Sequence, residues 1–192
     1  SYKFIQYQIV KLRLVLQQGK KEKMIIIGIG ANLPHPEFGS PRATCETALL
    51  ELAQTGLNIS GRSFWYESAP VLAAHGAQGE QPWYVNAAIS VETELSASDL
   101  LARLLSVEAR FGRIRSIANA PRTLDLDIVA YHDQIINADH LEIPHPRMNQ
   151  RAFVLLPLAD IAPDWIHPAN GQTVASMIEN LPIEQDIRRM DE

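Results

Sequence analysis

Residues 122–131 read Arg-Thr-Leu-Asp-Leu-Asp-Ile-Val-Ala-Tyr, and this alternation defines the first element of the fold. On a strand, side chains two apart point the same way, about 6.6–6.8 Å apart along the backbone. Asp125 and Asp127 therefore share one face, and Leu124, Leu126 and Ile128 take the other. Aspartate is a poor strand former, and two carboxylates on one face repel unless a cation or an arginine lies between them. Magnesium suits such a pair, because it takes one or two carboxylates together with phosphate oxygens and water. Two carboxylates aimed at one point can also bridge two ions about 3.5–4 Å apart. A solvent-facing strand with an acidic polar side produces the same pattern, and taken alone the motif favours that plainer reading.

The surroundings of the motif shift the balance. Arg113, Arg115 and Arg122 bracket the loop GRIRSIANAPR that leads into it, and Arg147 and Arg151 follow, four apart at an expected helix start. Loop arginines beside a carboxylate pair suit a metal–triphosphate, with guanidinium groups clamping the phosphate charge that the metal leaves. Surface ion pairing is the alternative for each arginine taken singly. His145 is held between two prolines, where a neutral imidazole can donate to a phosphate; a loop histidine with no task is the commoner case. Tyr84 and Asn86 share the polar face of the alternating stretch WYVNAAISVETE, as an aromatic ligand read at its edge by an amide requires. Taken alone, a partly exposed strand face is the commoner reason for such a pair. GIGAN (28–32) lacks the phosphate-loop pattern, and Gly28 and Gly30 are expected to allow close packing on a strand.

Working outward, MIIIGIG (24–30) reads as a buried strand and Ser40-Pro41 as the cap and first position of a helix running to about Thr55 and Gly56. ISGRSFWYES is one strand candidate. Residues 68–82 form a long aperiodic loop of the kind that usually has a function. Ser96 and Asp99 form a near-capping box for a helix carrying Leu100, Leu101, Leu104, Leu105 and Phe111 and closing at Gly112. The segment PHPRMNQRAFVLL leads into a short helix expected to halt near Pro157, and Thr173 caps a last helix to about Leu181. The order, roughly β-α-β-β-α-β plus a C-terminal helical tail, predicts an α+β ferredoxin-like sandwich with a mixed or antiparallel sheet.

With 192 residues, 46% hydrophobic, the chain suits one domain. All five lysines lie in the first 23 residues, which we expect to be a dispensable extension, non-native or encoded upstream, with Met24 as the natural start of a single catalytic domain (24–192). The remainder carries 11 arginines against 21 acids, a net charge of −10 that disfavours general nucleic-acid binding. No apolar run reaches the roughly 20 residues of a membrane span. Cys45, the single cysteine, excludes an intrachain disulfide and fits a reducing, cytoplasmic setting. We expect a monomer acting on small molecules.

In this order, GIGANL (28–33), YVNAAI (84–89), EARFGRIR (108–115), PRTLDLDIV (121–129) and PHPRMNQRAFVLLPL (144–158) resemble the 6-hydroxymethyl-7,8-dihydropterin pyrophosphokinase family over about residues 24–181. The resemblance implies a ferredoxin-like core, mobile catalytic loops, two magnesium ions and ATP as co-substrate, with AMP and the pterin pyrophosphate as products. It implies that Asp125 and Asp127 bind magnesium and that Arg113, Arg115 and Arg122 serve catalysis and ATP. By the same resemblance Glu108, Ile128, His145 and Arg151 are expected to take the nucleotide, Tyr84 and Phe153 to sandwich the pterin, Asn86 to read its edge, and Ser68, Ala69 and Val71 to offer backbone groups. Two departures stand out: IANA replaces a tryptophan-bearing stretch and is one residue shorter, and Leu105 stands where some members place a polar nucleotide contact. A non-catalytic ferredoxin-like module that binds a metal–nucleotide, or another two-metal enzyme such as a cyclase or nuclease, shares the same acids and arginines.

Overall fold

The computed structural model describes residues 24–70, 81–113, 121–182 and 185–191. The N-terminal extension, Val71 and Arg115 lie outside the described residues.

β1 (Ile25–Ala31) runs through the middle of an antiparallel sheet, flanked by β4 (Tyr84–Glu92) and by β5 (Asp125–Tyr131), the outer strand. Beyond β4 the single expected strand at 59–68 is divided into β2 (Asn58–Arg62) and β3 (Tyr66–Ser68), which pair with opposite halves of β4. The break falls where Ser63 turns its hydroxyl to accept the N–H of Ala88, 2.9 Å away, and to donate to the Phe64 carbonyl at 2.8 Å. Helix α1 (Pro41–Gln54) and helix α2 (Ala97–Arg110) cover one face of the sheet. Both start as expected: the Ser40 hydroxyl accepts the N–H of Ala43 at 3.3 Å, and the Ser96 hydroxyl accepts that of Asp99 at 3.2 Å. This βαββαβ order with its antiparallel sheet is the ferredoxin-like arrangement that the element order predicted.

The C-terminal part does more than trail as a helical tail. α3 (Ala152–Ile161) and α4 (Val174–Glu179) lie on the second face of the sheet, where Leu155, Leu158, Val174 and Met177 close a second core over Ile26, Ala88 and Val129. α3 continues through Pro157 and does not halt there. Proline removes one helical hydrogen bond, but Leu155 and Leu158 are fully buried on either side of it, and that packing outweighs local propensity. A ribbon of β6 (Ile136–Ala138) and β7 (Leu141–Ile143) precedes α3, and β8 (Ile187–Arg189) returns to pair with β3 at the far edge of the sheet. Neither was expected from these short segments.

Candidate active site

Both acids project from β5 away from the α1–α2 core, Asp125 with 22% of its side chain exposed and Asp127 with 46%. Across the ladder Asp125 faces Gly30, which faces Asn86; Asp127 faces Gly28, which faces Ala88. The two glycines leave no side chain between the acidic strand and Asn86. The space over Gly30 is tight as well as open: a Cβ there would meet Asn86 Oδ1 at 3.1 Å and the Val85 carbonyl at 3.6 Å. The close packing expected of this strand is thus part of the site's floor. Leu124, Leu126 and Ile128 enter the core under α1 and α2, as their alternation requires.

Arginines converge on Asp125 from two chain segments. Arg122 Nη1 donates to Asp125 Oδ2 at 2.7 Å, and Arg113 Nη1 lies 2.6 Å from Oδ1, close enough for strong Coulomb attraction though off the hydrogen-bond direction. Arg113 pairs at the same time with Glu108, whose carboxylate is 1% exposed and accepts the Leu126 N–H at 2.7 Å. Burial pushes Glu108 above the usual carboxylate range, against the pull of the Leu126 N–H and Arg113. Burial, and then the Asp127 charge, push Asp125 up as well, against Arg122 and Arg113. Gly112, at φ +72°, lets the chain turn from the end of α2 straight into Arg113.

A second group lies across Asp127, the more exposed acid. His145 Nε2 is 4.0 Å from Asp127 Oδ2. The Arg147 N–H donates to His145 Nδ1 at 3.2 Å, so in the neutral ring Nε2 carries the hydrogen. Burial, with the Arg151 and Arg147 charges, lowers the imidazole to about 4. The Arg151 guanidinium lies 5.3 Å over the Phe153 ring at the start of α3, and burial and Arg147 lower its own pKa. Among the described residues no carboxylate forms an ion pair with Arg147 or Arg151. They form a cationic side facing the acids, short of an anion.

A histidine held neutral by the fold links stability to pH. The folded value lies below the ordinary 6.5, so between about pH 6.5 and 4 the unfolded chain binds the extra proton and stability falls as pH falls. In metal- and nucleotide-free protein the lost contribution is expected to reach about 3 kcal/mol by pH 4. Urea unfolding of wild type and His145→Asn across that window checks it. A difference between the two that does not change with pH would contradict the neutral imidazole.

On the other side of the acids, Asn86 is 5% exposed and donates to Ser68 Oγ at 2.9 Å. Tyr84 begins β4, half-buried, opposite Ser68, and its hydroxyl is hydrogen-bonded with Arg122. Arg122 therefore joins the acidic strand to the aromatic side. Phe153 lies half-buried in the first turn of α3, the helix that packs on β3 and β4. The Ala69 N–H is already taken by the Asp186 carbonyl at 2.8 Å, so that group is not one Ala69 offers a ligand. The Ile128 side chain is buried on the opposite face; its backbone lies on the outer strand, two residues beyond the Leu126 N–H that points off the sheet to Glu108.

Asn32 is the residue that the sequence reading passed over. It is 1% exposed; Oδ1 accepts the Arg122 N–H at 2.8 Å, Nδ2 donates to the Pro82 carbonyl at 3.2 Å, and its own N–H donates to the Arg122 carbonyl at 3.0 Å. It ties the entrance of β4 to Arg122. The available signal was an amide closing an otherwise apolar strand, since a buried amide is kept only where its hydrogen bonds are met.

Fold and site together define a ferredoxin-like protein with paired carboxylates, converging arginines and a neighbouring aromatic–amide wall on one open face. The comparisons place it more narrowly. The family described as 7,8-dihydro-6-hydroxymethylpterin-pyrophosphokinase (HPPK) matches residues 26–163, and the chain belongs to that family. It is 40% identical over 157 residues to the 2-amino-4-hydroxy-6-hydroxymethyldihydropteridine pyrophosphokinase of Synechocystis, covering 81% of this chain and 75% of that one. To the Pseudomonas aeruginosa protein of the same name it is 41% identical over 160 residues, covering 83% and 93%. Among solved structures, a triple mutant of Plasmodium falciparum HPPK-DHPS shares the fold at a TM-score of 0.62 and 14% identity, covering 86% of this chain. The present chain spans 44% of that longer one.

Proposed function

We propose that the chain transfers the β,γ-pyrophosphoryl group of ATP to the hydroxymethyl oxygen of 6-hydroxymethyl-7,8-dihydropterin, releasing AMP on the way to folate. The observation that carries this reading is the convergence of Arg113 and Arg122 on Asp125, beside Asp127 and within one sheet face of the Asn86–Ser68 pair. Family membership disfavours the binding-module and other two-metal readings.

Among the described residues no group of three or more His, Cys, Asp or Glu could cage a metal. Two carboxylates on one strand face, with Asp127 46% exposed at its side chain, suit magnesium, which completes its shell with phosphate oxygens and water. On this reading Asp125 and Asp127 would hold two ions, and magnesium there would neutralise charge on the phosphate oxygens. Arg113 and Arg122 would serve the phosphates beside them. Arg151 and His145 supply donors from the opposite side; Arg115, outside the described residues, keeps the phosphate role that the family resemblance implies. Tyr84 and Phe153 stack the pterin, Asn86 meets its edge, and the chain at Ser68 and Ala69 bounds one rim. The purine lies near Glu108 and the outer backbone edge at Ile128.

In the reaction the pterin hydroxyl oxygen bonds to the β-phosphorus. The bond from that phosphorus to the bridging oxygen breaks, AMP leaves with the oxygen, and the hydroxyl proton passes to water. No side chain of the described site is placed as a nucleophile; positioning and electrostatics carry the catalysis. The catalytic unit starts at Met24 and works as a monomer on two small molecules, with nucleic acid disfavoured by the body's net charge. No described helix is long and apolar enough to cross a membrane; a cytoplasmic setting is the reading that the single cysteine supports.

ATP labelled at the β-phosphate tests the reaction. With magnesium and the pterin alcohol the label is expected in the pterin product, with unlabelled AMP in equal amount. Labelled ADP accompanied by a pterin monophosphate would overturn the assignment.

A further inference from the structure

Helix α3 begins without a cap of its own. Its cap position is Arg151, whose side chain makes no capping bond and lies over Phe153. The missing acceptor comes from far along the chain. Gln185 Oε1 accepts the Ala152 N–H at 2.8 Å, and Gln185 Nε2 donates to the Gln150 carbonyl at 3.0 Å. The amide orientation is forced at both ends, because a backbone N–H can only donate and a carbonyl can only accept. The next residue reaches the other side of the site: the Asp186 carbonyl accepts the Ala69 N–H at 2.8 Å, and Ile187 then pairs with Ser68 as β8 joins β3. Ser68 in turn accepts the Asn86 amide. Two neighbouring residues therefore hold the start of α3, which carries Phe153, and the end of β3 at Ser68, with Ala69 just after it.

We infer that Gln185 and Asp186 form a clasp that sets the spacing between the two walls of the pterin pocket, with Gln185 as a positioning residue for pterin binding. The inference rests on the reading of Phe153 and Ser68 given above. An ordinary Ser or Asp cap would have served the helix alone. Here arginine occupies that position, and a remote amide replaces the cap and couples the helix to β3. ATP is gripped from several other segments, through Arg113, Arg122 and His145, so loosening the clasp bears mainly on the pterin.

The test is equilibrium binding of the pterin, with magnesium and a non-hydrolysable ATP analogue present, beside binding of the analogue alone. Gln185→Ala is expected to weaken pterin binding about tenfold and nucleotide binding less than about threefold. Gln185→Glu keeps the acceptor for the Ala152 N–H and is expected to recover most of the loss. If the alanine variant does not fold, Gln185→Met, of similar length but without either hydrogen bond, carries the same expectation. A lower Tm with unchanged pterin affinity would make Gln185 a plain helix cap and overturn the inference, as would equal losses for both ligands. Phe153→Ala separates the two levels. If it weakens pterin binding and the Gln185 variants do not, the clasp alone fails; if it leaves pterin binding intact, the pocket assignment fails and takes the clasp with it.

Discussion

Asp127→Ala is expected to lower magnesium-dependent turnover by about a thousandfold or more, with folding stability within about 0.5 kcal/mol of wild type. Asp127 is 46% exposed at its side chain, and His145 Nε2 lies 4.0 Å from its carboxylate. Its loss opens no core and removes one of the charges that push Asp125 up. Asp125→Ala behaves differently although the two acids share a strand face. Turnover falls as far, but Arg113 and Arg122 lose the carboxylate between them, and stability drops by about 2–3 kcal/mol. Steady-state AMP release and urea unfolding of both variants check the pair. An Asp127→Ala enzyme within tenfold of wild type would remove it from the metal site.

Arg113→Ala is expected to lower kcat by about a hundredfold to a thousandfold and to destabilise the fold by about 3 kcal/mol at pH 7. The two effects have separate sources. Turnover falls because a guanidinium that neutralises phosphate charge is gone. Stability falls because Glu108, 1% exposed, keeps its Leu126 hydrogen bond but loses its cation. Burial already raises Glu108 and Arg113 opposes that rise. In the variant the carboxyl rises further, so its penalty shrinks as pH falls and protonation removes the buried charge. The double variant Arg113→Ala/Glu108→Gln should regain most of the stability and none of the turnover. Recovery of both would show that Arg113 serves Glu108 alone; normal kcat with a raised KM would mark it as a docking group.

Much of the fold is legible in the sequence. The alternation at 123–131 set the two aspartates on one face and Leu124, Leu126 and Ile128 on the other, because strand geometry has a period of two whatever surrounds it. Ser40, Ser96 and Thr173 marked helix starts, because capping is a local hydrogen bond. The ferredoxin-like order followed from the sequence of elements, which left the sheet mixed or antiparallel until the pairing showed it antiparallel. Readings that depended on distant partners fared less well. Pro157 reads locally as a stop, yet α3 runs through it because Leu155 and Leu158 are buried against the sheet. The 59–68 strand divides because Ser63 bonds Ala88 across it.

For the site, the sequence by itself determined which residue types could do the chemistry and that Asp125 and Asp127 face together. Tertiary structure decided which arginines meet which acid, since Arg113 and Arg122 reach Asp125 from opposite ends of a loop and no spacing rule fixes that closure. It also decided that Glu108 is buried under the acidic strand, that Asn32 ties Arg122 to Pro82, and that Gln185, 33 residues beyond Ala152, finishes α3. Periodicity and capping act over a few residues and can be read along the chain. Desolvation and charge pairing depend on what folding brings near, and only the packed chain sets those distances.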